Sequence, residues 1–502
     1  MRARWRRVLL LCLVGAWAVV AWRQAVKPLP PGTHVSSPAC SAPAGSLAFI
    51  ADITAADAWG HSVTSHGIFD AVLAVVSGAQ RFIVLDYGAF GAAEPGAAPE
   101  RRIAGELTDA LLARRRAQPA LAVLFITDPA TERYGTLRSP ELQLLRASGV
   151  EVVTTDLSRL RASNPLYSSL WRLGLRWWAG AAGPLGVSAR RLNFQANDRQ
   201  LVLADDGRGG LTAVIGSAGP QDAQSGWSNV AARVGGRALE SLLASELAVA
   251  RFSGWRGEQA AFAASGAAAA ARADCTEPAP GGARVRAADA ADTAAASAGP
   301  AEPGARVQVL TEGATRAQLL ERLDASAAGE SIDAALFRLA DRAVVEALLA
   351  AARRGVGVRL ILDPNEGTSS GGTAGLPNQA VASELAARSG GAVRVRWYRT
   401  HGERFHGALV MVWGAQRAWL TLGSAQLTRR SLDDYNLEAN VALELPRSAP
   451  LAQQVLDYFD TLWSNRAALG IEYTADFAAF ANPAQSDYWL YRLMEGTGFA
   501  PF

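Results

Sequence analysis

Two separated stretches of this chain alternate helical and strand periodicity in the same order, and that repetition limits the folds open to it. In the first, Gly67–Leu73 has helical spacing and Arg81–Asp86 is a continuous apolar run, as a buried strand requires. Residues Arg101–Ala117 return to helical spacing, and Leu121–Ile126 and Glu151–Thr155 predict further strands. In the second, Val307–Leu310 predicts a strand, Ala317–Leu323 a helix, Ser331–Phe337 a strand and Asp341–Arg354 a helix capped by Gly355. Val356–Leu362 is the next strand. Each half runs helix, strand, helix, strand and then reaches a stretch with an internal Gly-Ser pair. Such alternation predicts α/β domains with largely buried sheets. The repeat is far longer than a solenoid unit, so it is a duplication of a whole fold.

The 502-residue length allows for this, since a domain takes roughly 100–200 residues. Half the residues are hydrophobic and 19% are charged, which excludes global disorder. With 49 basic and 46 acidic residues, the net charge of +3 argues against a general nucleic-acid binder, and any anion site must be local. Residues 264–305 are dominated by Ala, Gly, Pro, Asp and Arg without apolar periodicity, and read as a linker. The expected organisation is therefore residues 1–44 as a signal or anchor with a Pro-rich stalk, 45–263 as the first lobe, 264–305 as the linker and 306–502 as the second lobe.

The start of the chain is an export signal. Four arginines precede the apolar run Val8–Trp22, and Arg23, Lys27 and three prolines follow it. The run is short for a span, which takes about 20 residues, but lies within the range for one. Two outcomes are open: an inner-membrane anchor with the bulk of the chain in the periplasm, or secretion after cleavage near Ala16-Trp17-Ala18. Basic residues ahead of the run orient the remainder outward in either case. Cys40 and Cys275 both fall in exported segments, where they can pair or remain free thiols. The Trp-rich stretch Leu170–Trp178 reads as a helix with a buried aromatic face in the first lobe, although Arg and Trp together also suit a membrane interface.

Two segments carry chemistry. The later is Thr400–Val412, containing His406, followed by Leu422-Gly423-Ser424-Ala425-Gln426 and by Asn436-Leu437-Glu438. The earlier is Asn193–Asp205, followed by Ile215-Gly216-Ser217-Ala218-Gly219. Both resemble the phospholipase D signature, H-x-K-x4-D with a downstream Gly-Ser-x-Asn turn and Asn-x-Glu. The resemblance extends over roughly residues 60–502 and is closest to the bacterial phosphatidylserine, phosphatidylglycerophosphate and cardiolipin synthase-like branch. It implies two similar α/β lobes, each a mixed sheet flanked by helices, packed around one central cleft.

The family's chemistry implies a role for each position. One His attacks phosphorus, the other exchanges protons with the leaving or entering oxygen, and two Lys with the Gly-Ser-Asn turns stabilise the phosphate charge. No metal or cofactor is required. In this chain the first motif has Asp198 for His and Gln200 for Lys, and keeps Asp205; its turn keeps Gly216 and Ser217 but has Gly219 for Asn. The second motif keeps His406 but has Ala408 for Lys and Trp413 for Asp; its turn has Gly423 and Ser424 with Gln426 for Asn, and Asn436 and Glu438 remain.

The candidate catalytic residues are thus His406, Asp198 at the nucleophile position, Asp205 as a retained acceptor, and Glu438. The candidate phosphate or ligand-binding residues are Gln200, Gly216, Ser217, Asn229, Gly423, Ser424, Gln426 and Asn436. Backbone N–H groups of the Gly-Ser turns are further candidates for anion contacts, as is positive charge from His401, Arg404, Arg429 and Arg430. The expected function is a catalytically impaired phospholipase D-like protein that binds phospholipid or another phosphodiester. Two alternatives stay open: an active phosphodiesterase or phosphatidyltransferase working through His406, and a structural protein partner in a membrane complex.

Overall fold

In the computed structural model the described residues are 2–43, 45–57, 59–93, 99–181, 183–262, 275–276, 304–366, 374–466 and 471–500. The expected linker therefore lies almost wholly outside them; its Cys275–Thr276 forms a short strand.

Two sheets dominate the fold, and their topologies are the same. The first orders its strands Ala48–Asp52, Asn229–Gly235, Leu211–Gly216, Gln200–Asp205, Phe82–Tyr87, Ala122–Thr127 and Glu151–Thr154. The second contains the matching series Arg306–Thr311, Ala439–Pro446, Arg417–Gly423, Ala408–Trp413, Ser331–Leu336, Gly357–Leu362 and Val393–Tyr398. In each series the first four pairings are antiparallel and the last two parallel. The central parallel strands Phe82–Tyr87 and Ala122–Thr127 are largely apolar and buried, as strands covered by helices such as Ile103–Ala117 are. Arg342–Arg353 is capped by the Asp341 carboxylate, which accepts the Val344 N–H at 3.0 Å. The chain is thus a mixed α/β fold built twice.

The lobes share one interior. A single apolar cluster takes Leu203, Ile215 and Val230 from the first sheet and Leu409, Leu422 and Val441 from the second, all fully buried. Separate cores lie beneath the outer helices of each lobe. The stalk is not a free tether. Ala39–Ser41 pairs with both Cys275–Thr276 and Arg306–Val307 at the edge of the second sheet, and a disulfide joins Cys40 to Cys275.

One helix among the described residues, Arg4–Val26, is long and apolar enough to cross a membrane, with mean hydropathy 1.8. The Trp-rich stretch corrects the sequence expectation. Trp171 is buried, but Trp177 and Trp178 are 67% and 57% exposed. Within Leu170–Trp178 the chain passes through a π-helical turn, Trp171–Leu175. It belongs to a helical excursion, Pro165–Leu170, Trp171–Leu175, Arg176–Ala181 and Gly183–Arg191, inserted between the strands Glu151–Thr154 and Gln200–Asp205.

Candidate active-site cleft

The two motif strands reach the centre of the molecule by the same device. At the start of Gln200–Asp205, the Asp198 N–H donates to the Leu437 carbonyl (2.9 Å) and the Leu437 N–H to that of Ala196 (3.0 Å). At the start of Ala408–Trp413, the His406 N–H donates to the Ser228 carbonyl (2.7 Å) and the Ser228 N–H to that of Arg404 (2.9 Å). A buried carboxylate supports each strand: Asp128 accepts the Asn197 N–H and Asp363 the Phe405 N–H, both at 2.8 Å. Each motif residue therefore meets a segment of the opposite lobe. Asp198 and His406 stand at equivalent places across a cavity of about 440 Å³.

The turns are equivalent too. Ser217 Oγ donates to Asn229 Oδ1 at 2.9 Å, and Ser424 Oγ donates to Glu438 Oε2 at 2.6 Å. Gly216 and Gly423 pack against the neighbouring strand. A Cβ on Gly423 would lie 2.3 Å from the Ala439 carbonyl oxygen, so only glycine allows that approach. The pairing also consumes the turn donors. The N–H groups of Ser217 and Ser424 bond strand carbonyls, and that of Ala425 bonds Asn440 Oδ1. The expectation that the turns offer these backbone groups to an anion is overturned.

His406 is neutral. Its Nδ1 lies 3.1 Å from the Ser217 carbonyl and 3.2 Å from Asn229 Oδ1. The Asn229 amide is oriented by its own donation to the Trp227 carbonyl at 3.2 Å, which turns Oδ1 toward the ring. Both neighbours accept, so Nδ1 carries the proton and Nε2 keeps its lone pair. Burial, then the charges of Arg404 and Arg338, push the imidazole pKa down to about 3.

Across the cavity, Asn436 Nδ2 donates to Asp198 Oδ2 at 2.8 Å. Burial and the neighbouring Asp198 carboxyl push Glu438 up to about 8. Burial raises Asp198 also, against the opposing pull of Arg430 and Arg338. Asp198 thus stands half-buried on the cavity wall as a raised carboxyl held by Asn436. Gln426 spans the floor, its Oε1 accepting the Arg338 N–H at 3.2 Å and its Nε2 donating to the His406 carbonyl at 3.4 Å.

Of the sequence candidates, Asp198, Gln200, Ser217, His406, Ser424, Gln426, Asn436 and Glu438 line the cavity. Asn229 lies behind His406. Gly216 and Gly423 are packing positions outside the lining. Asp205 is a correction to its place among the catalytic candidates. Its carboxylate sits at the far end of its strand, where it accepts the N–H groups of Gln80, Arg81, Phe82 and Gly207. His401 is exposed beside Glu403, and Arg429 is held by Glu495 and Tyr435.

Four arginines line the cavity, Arg191 near its mouth and Arg338, Arg404 and Arg430 deeper in it. Arg404 stacks over Trp227 at 4.6 Å, Arg338 over Phe337 at 4.7 Å and Arg430 over Phe194 at 5.4 Å. Burial and the guanidinium groups of Arg430 and Arg404 push Arg338 down to about 9. Sequence reasoning missed Arg338. The available signal was its place just past the C-terminal end of Ser331–Leu336, since ligand sites of α/β sheets gather at strand C-termini. The arrangement can hold an anion against guanidinium and imidazole nitrogen. What it lacks is a second imidazole.

Residues 319–463 match the family described as the phospholipase D-like domain of cardiolipin synthase. No curated protein matches the sequence. Among solved structures, the chain resembles phosphatidylserine synthase of Haemophilus influenzae at 11% identity and TM-score 0.54, covering 91% of this chain and 94% of that one. A phospholipase D family member, Nuc from Salmonella typhimurium, aligns at 22% identity and TM-score 0.27, over 34% of this chain and 97% of its own.

Proposed function

We propose that this chain, whose residues 319–463 match the phospholipase D-like domain family and whose fold is that of phosphatidylserine synthase, is a phospholipase D-like protein that binds a phosphodiester, a phospholipid headgroup foremost, in a cleft whose phosphoryl-transfer chemistry is impaired. The observation that carries the reading is the convergence of Arg338, Arg404 and Arg430 on a cavity that has lost both motif lysines and one motif histidine. Guanidinium groups bind phosphate oxygens in a fixed fork and remain charged, so anion affinity survives the loss of lysine. Catalysis does not survive as readily, because removing one positioned electrostatic donor typically costs about 2.7–4 kcal/mol. The matched family and the similar solved structure are named for phospholipid synthases, and an N-terminal helix long and apolar enough to cross a membrane supports a lipid ligand. Its arginine-rich start favours an extracytoplasmic body, and so does the Cys40–Cys275 disulfide.

The fixed tautomer of His406 favours a second reading, residual transfer. Nε2 would form the bond to phosphorus as the ester P–O bond breaks, and the leaving oxygen would take a proton from the Asp198–Glu438 pair. One experiment separates the two. Full-length protein in detergent should bind glycerophosphoglycerol, and Arg404→Ala with Arg430→Ala should abolish binding. Wild type should hydrolyse phosphatidylglycerol and bis-p-nitrophenyl phosphate no faster than His406→Ala. Turnover that His406→Ala removes would establish the second reading, and no binding by wild type would sink the first.

A further inference from the structure

We propose that the helical excursion of residues 165–191, together with the C-terminal helix Gln485–Thr497, is buried in the outer part of a phospholipid bilayer and seats the mouth of the cleft against the headgroups. The duplication isolates the excursion as an addition. Between the corresponding strands of the second lobe the chain needs only residues 399–407, whereas the first lobe uses residues 155–199. The added segment does not complete a core. Leu170, Leu173, Leu175, Trp177, Trp178 and Leu185 are all exposed. An unpartnered apolar surface rich in Trp marks a partner.

Depth along the N-terminal helix identifies that partner as lipid. The helix does not leave the body at Val26. Its face through Trp17, Ala21 and Gln24 packs on the short helix Pro165–Leu170, and Trp17 Nε1 donates to the Leu166 carbonyl at 3.1 Å. Trp17 precedes Val26 by nine residues, which at the helical rise is about 14 Å of axis. If Arg4–Val26 spans the bilayer, Leu166 and the apolar residues beside it lie well inside the leaflet on the body side. The charges agree with that placement. Arg176 stacks over Trp177 at 4.9 Å and Arg190 over Trp171 at 5.9 Å, the Arg–Trp pairing that suits a lipid–water boundary.

The C-terminal helix continues the surface. Trp489 and Leu493 are each 63% exposed, and the Phe499 ring meets Phe194 edge-on at 5.6 Å. Phe194, with Arg191 and Tyr134, also lines the central cavity. The apolar surface and the cleft mouth are therefore contiguous, and a lipid headgroup would reach the arginines without leaving the interface. The proposal does not depend on which diester the cleft prefers.

The test uses full-length protein with Cys12→Ser, reconstituted into vesicles of phosphatidylcholine and phosphatidylglycerol. An environment-sensitive fluorophore is placed at Leu175→Cys, Leu493→Cys or, as an aqueous control, Arg208→Cys. The first two labels should show blue-shifted emission that is lost when the acyl chains carry bromine and is protected from an aqueous quencher. The Arg208 label should behave in the opposite way. Water-like emission at both Leu positions would overturn the proposal. So would protection of those labels in lipid-free detergent accompanied by a dimeric mass, which would make a second copy the occupant. Glycerophosphoglycerol binding in detergent reads the cleft separately, so failure of the docking surface and failure of the cleft are distinguishable.

Discussion

Asn229 and Glu438 occupy equivalent places behind the two motif positions, and their chemistry is crossed. A carboxylate stands at Glu438, beside Asp198, and an amide at Asn229, beside His406. Two acids thus face one another while the one imidazole lacks an anion to stabilise its charged form. The consequence is a proton held at the Asp198–Glu438 pair. Glu438 is raised to about 8 in the folded protein from an ordinary value near 4.5. A raised acid contributes stability that is full below pH 4.5 and is lost as the pH climbs through about 8. Glu438→Gln keeps an acceptor for Ser424 and removes the titration. Thermal unfolding from pH 5 to 8.5 should show wild type losing stability that the variant retains, on the order of a few kcal/mol. Parallel pH profiles would refute the pair. These residues were legible because motif spacing pins strand and turn positions. Arg338, Asp128 and Trp227 were not, because loops of unfixed length carry them. Asp205 shows the converse error: its spacing survives, but at the far end of a strand it caps backbone N–H groups.

At the scale of elements, the strand pairing around Cys40 decides what the N-terminal segment is. Cys40 lies opposite Cys275 on one side and Val307 on the other, so the disulfide fixes the edge of the second sheet. Removing a cross-link over so long a loop typically costs about 2–4 kcal/mol. Cys40→Ser with Cys275→Ser should lower the urea midpoint accordingly, and digestion of the wild type without reductant should yield one peptide joining the two cysteines. An unchanged midpoint would assign the edge to strand pairing alone. The regular elements of both halves follow the expected periodicities to within a few residues, because buried strands and amphipathic helices each carry a clear period. The Trp171–Trp178 stretch does not follow its expectation. Arg and Trp at helical spacing suit a protein interior and a lipid boundary equally, and what separates them is that Trp177 and Trp178 are exposed among the described residues.

For the whole molecule, the duplication was readable from repeated element order, but the joint between the copies was not. Arg199 sits in the first motif between Asp198 and Gln200, and nothing in the spacing distinguishes it. It is wholly buried, with Nη1 2.7 Å from Glu246 of its own lobe and Nη2 2.7 Å from Glu312 of the other. Nη2 also donates to Ser245 Oγ at 2.9 Å and to the Thr33 carbonyl at 3.3 Å, so the N-terminal segment closes over the same guanidinium. One cation thus ties three parts of the chain within the shared core. Breaking a buried network by removing one partner costs about 3–5 kcal/mol, because the remaining charges stay buried, whereas replacing the whole set with apolar or neutral groups is often neutral. Arg199→Met alone should therefore destabilise the protein by about that amount in urea. If the wild type unfolds in one transition, the variant should show two, since the lobes lose their common anchor. Arg199→Met combined with Glu246→Gln and Glu312→Gln should recover much of the loss. If the triple variant is no more stable than the single one, the lobes are joined by their apolar interface alone and the ion network is incidental to it.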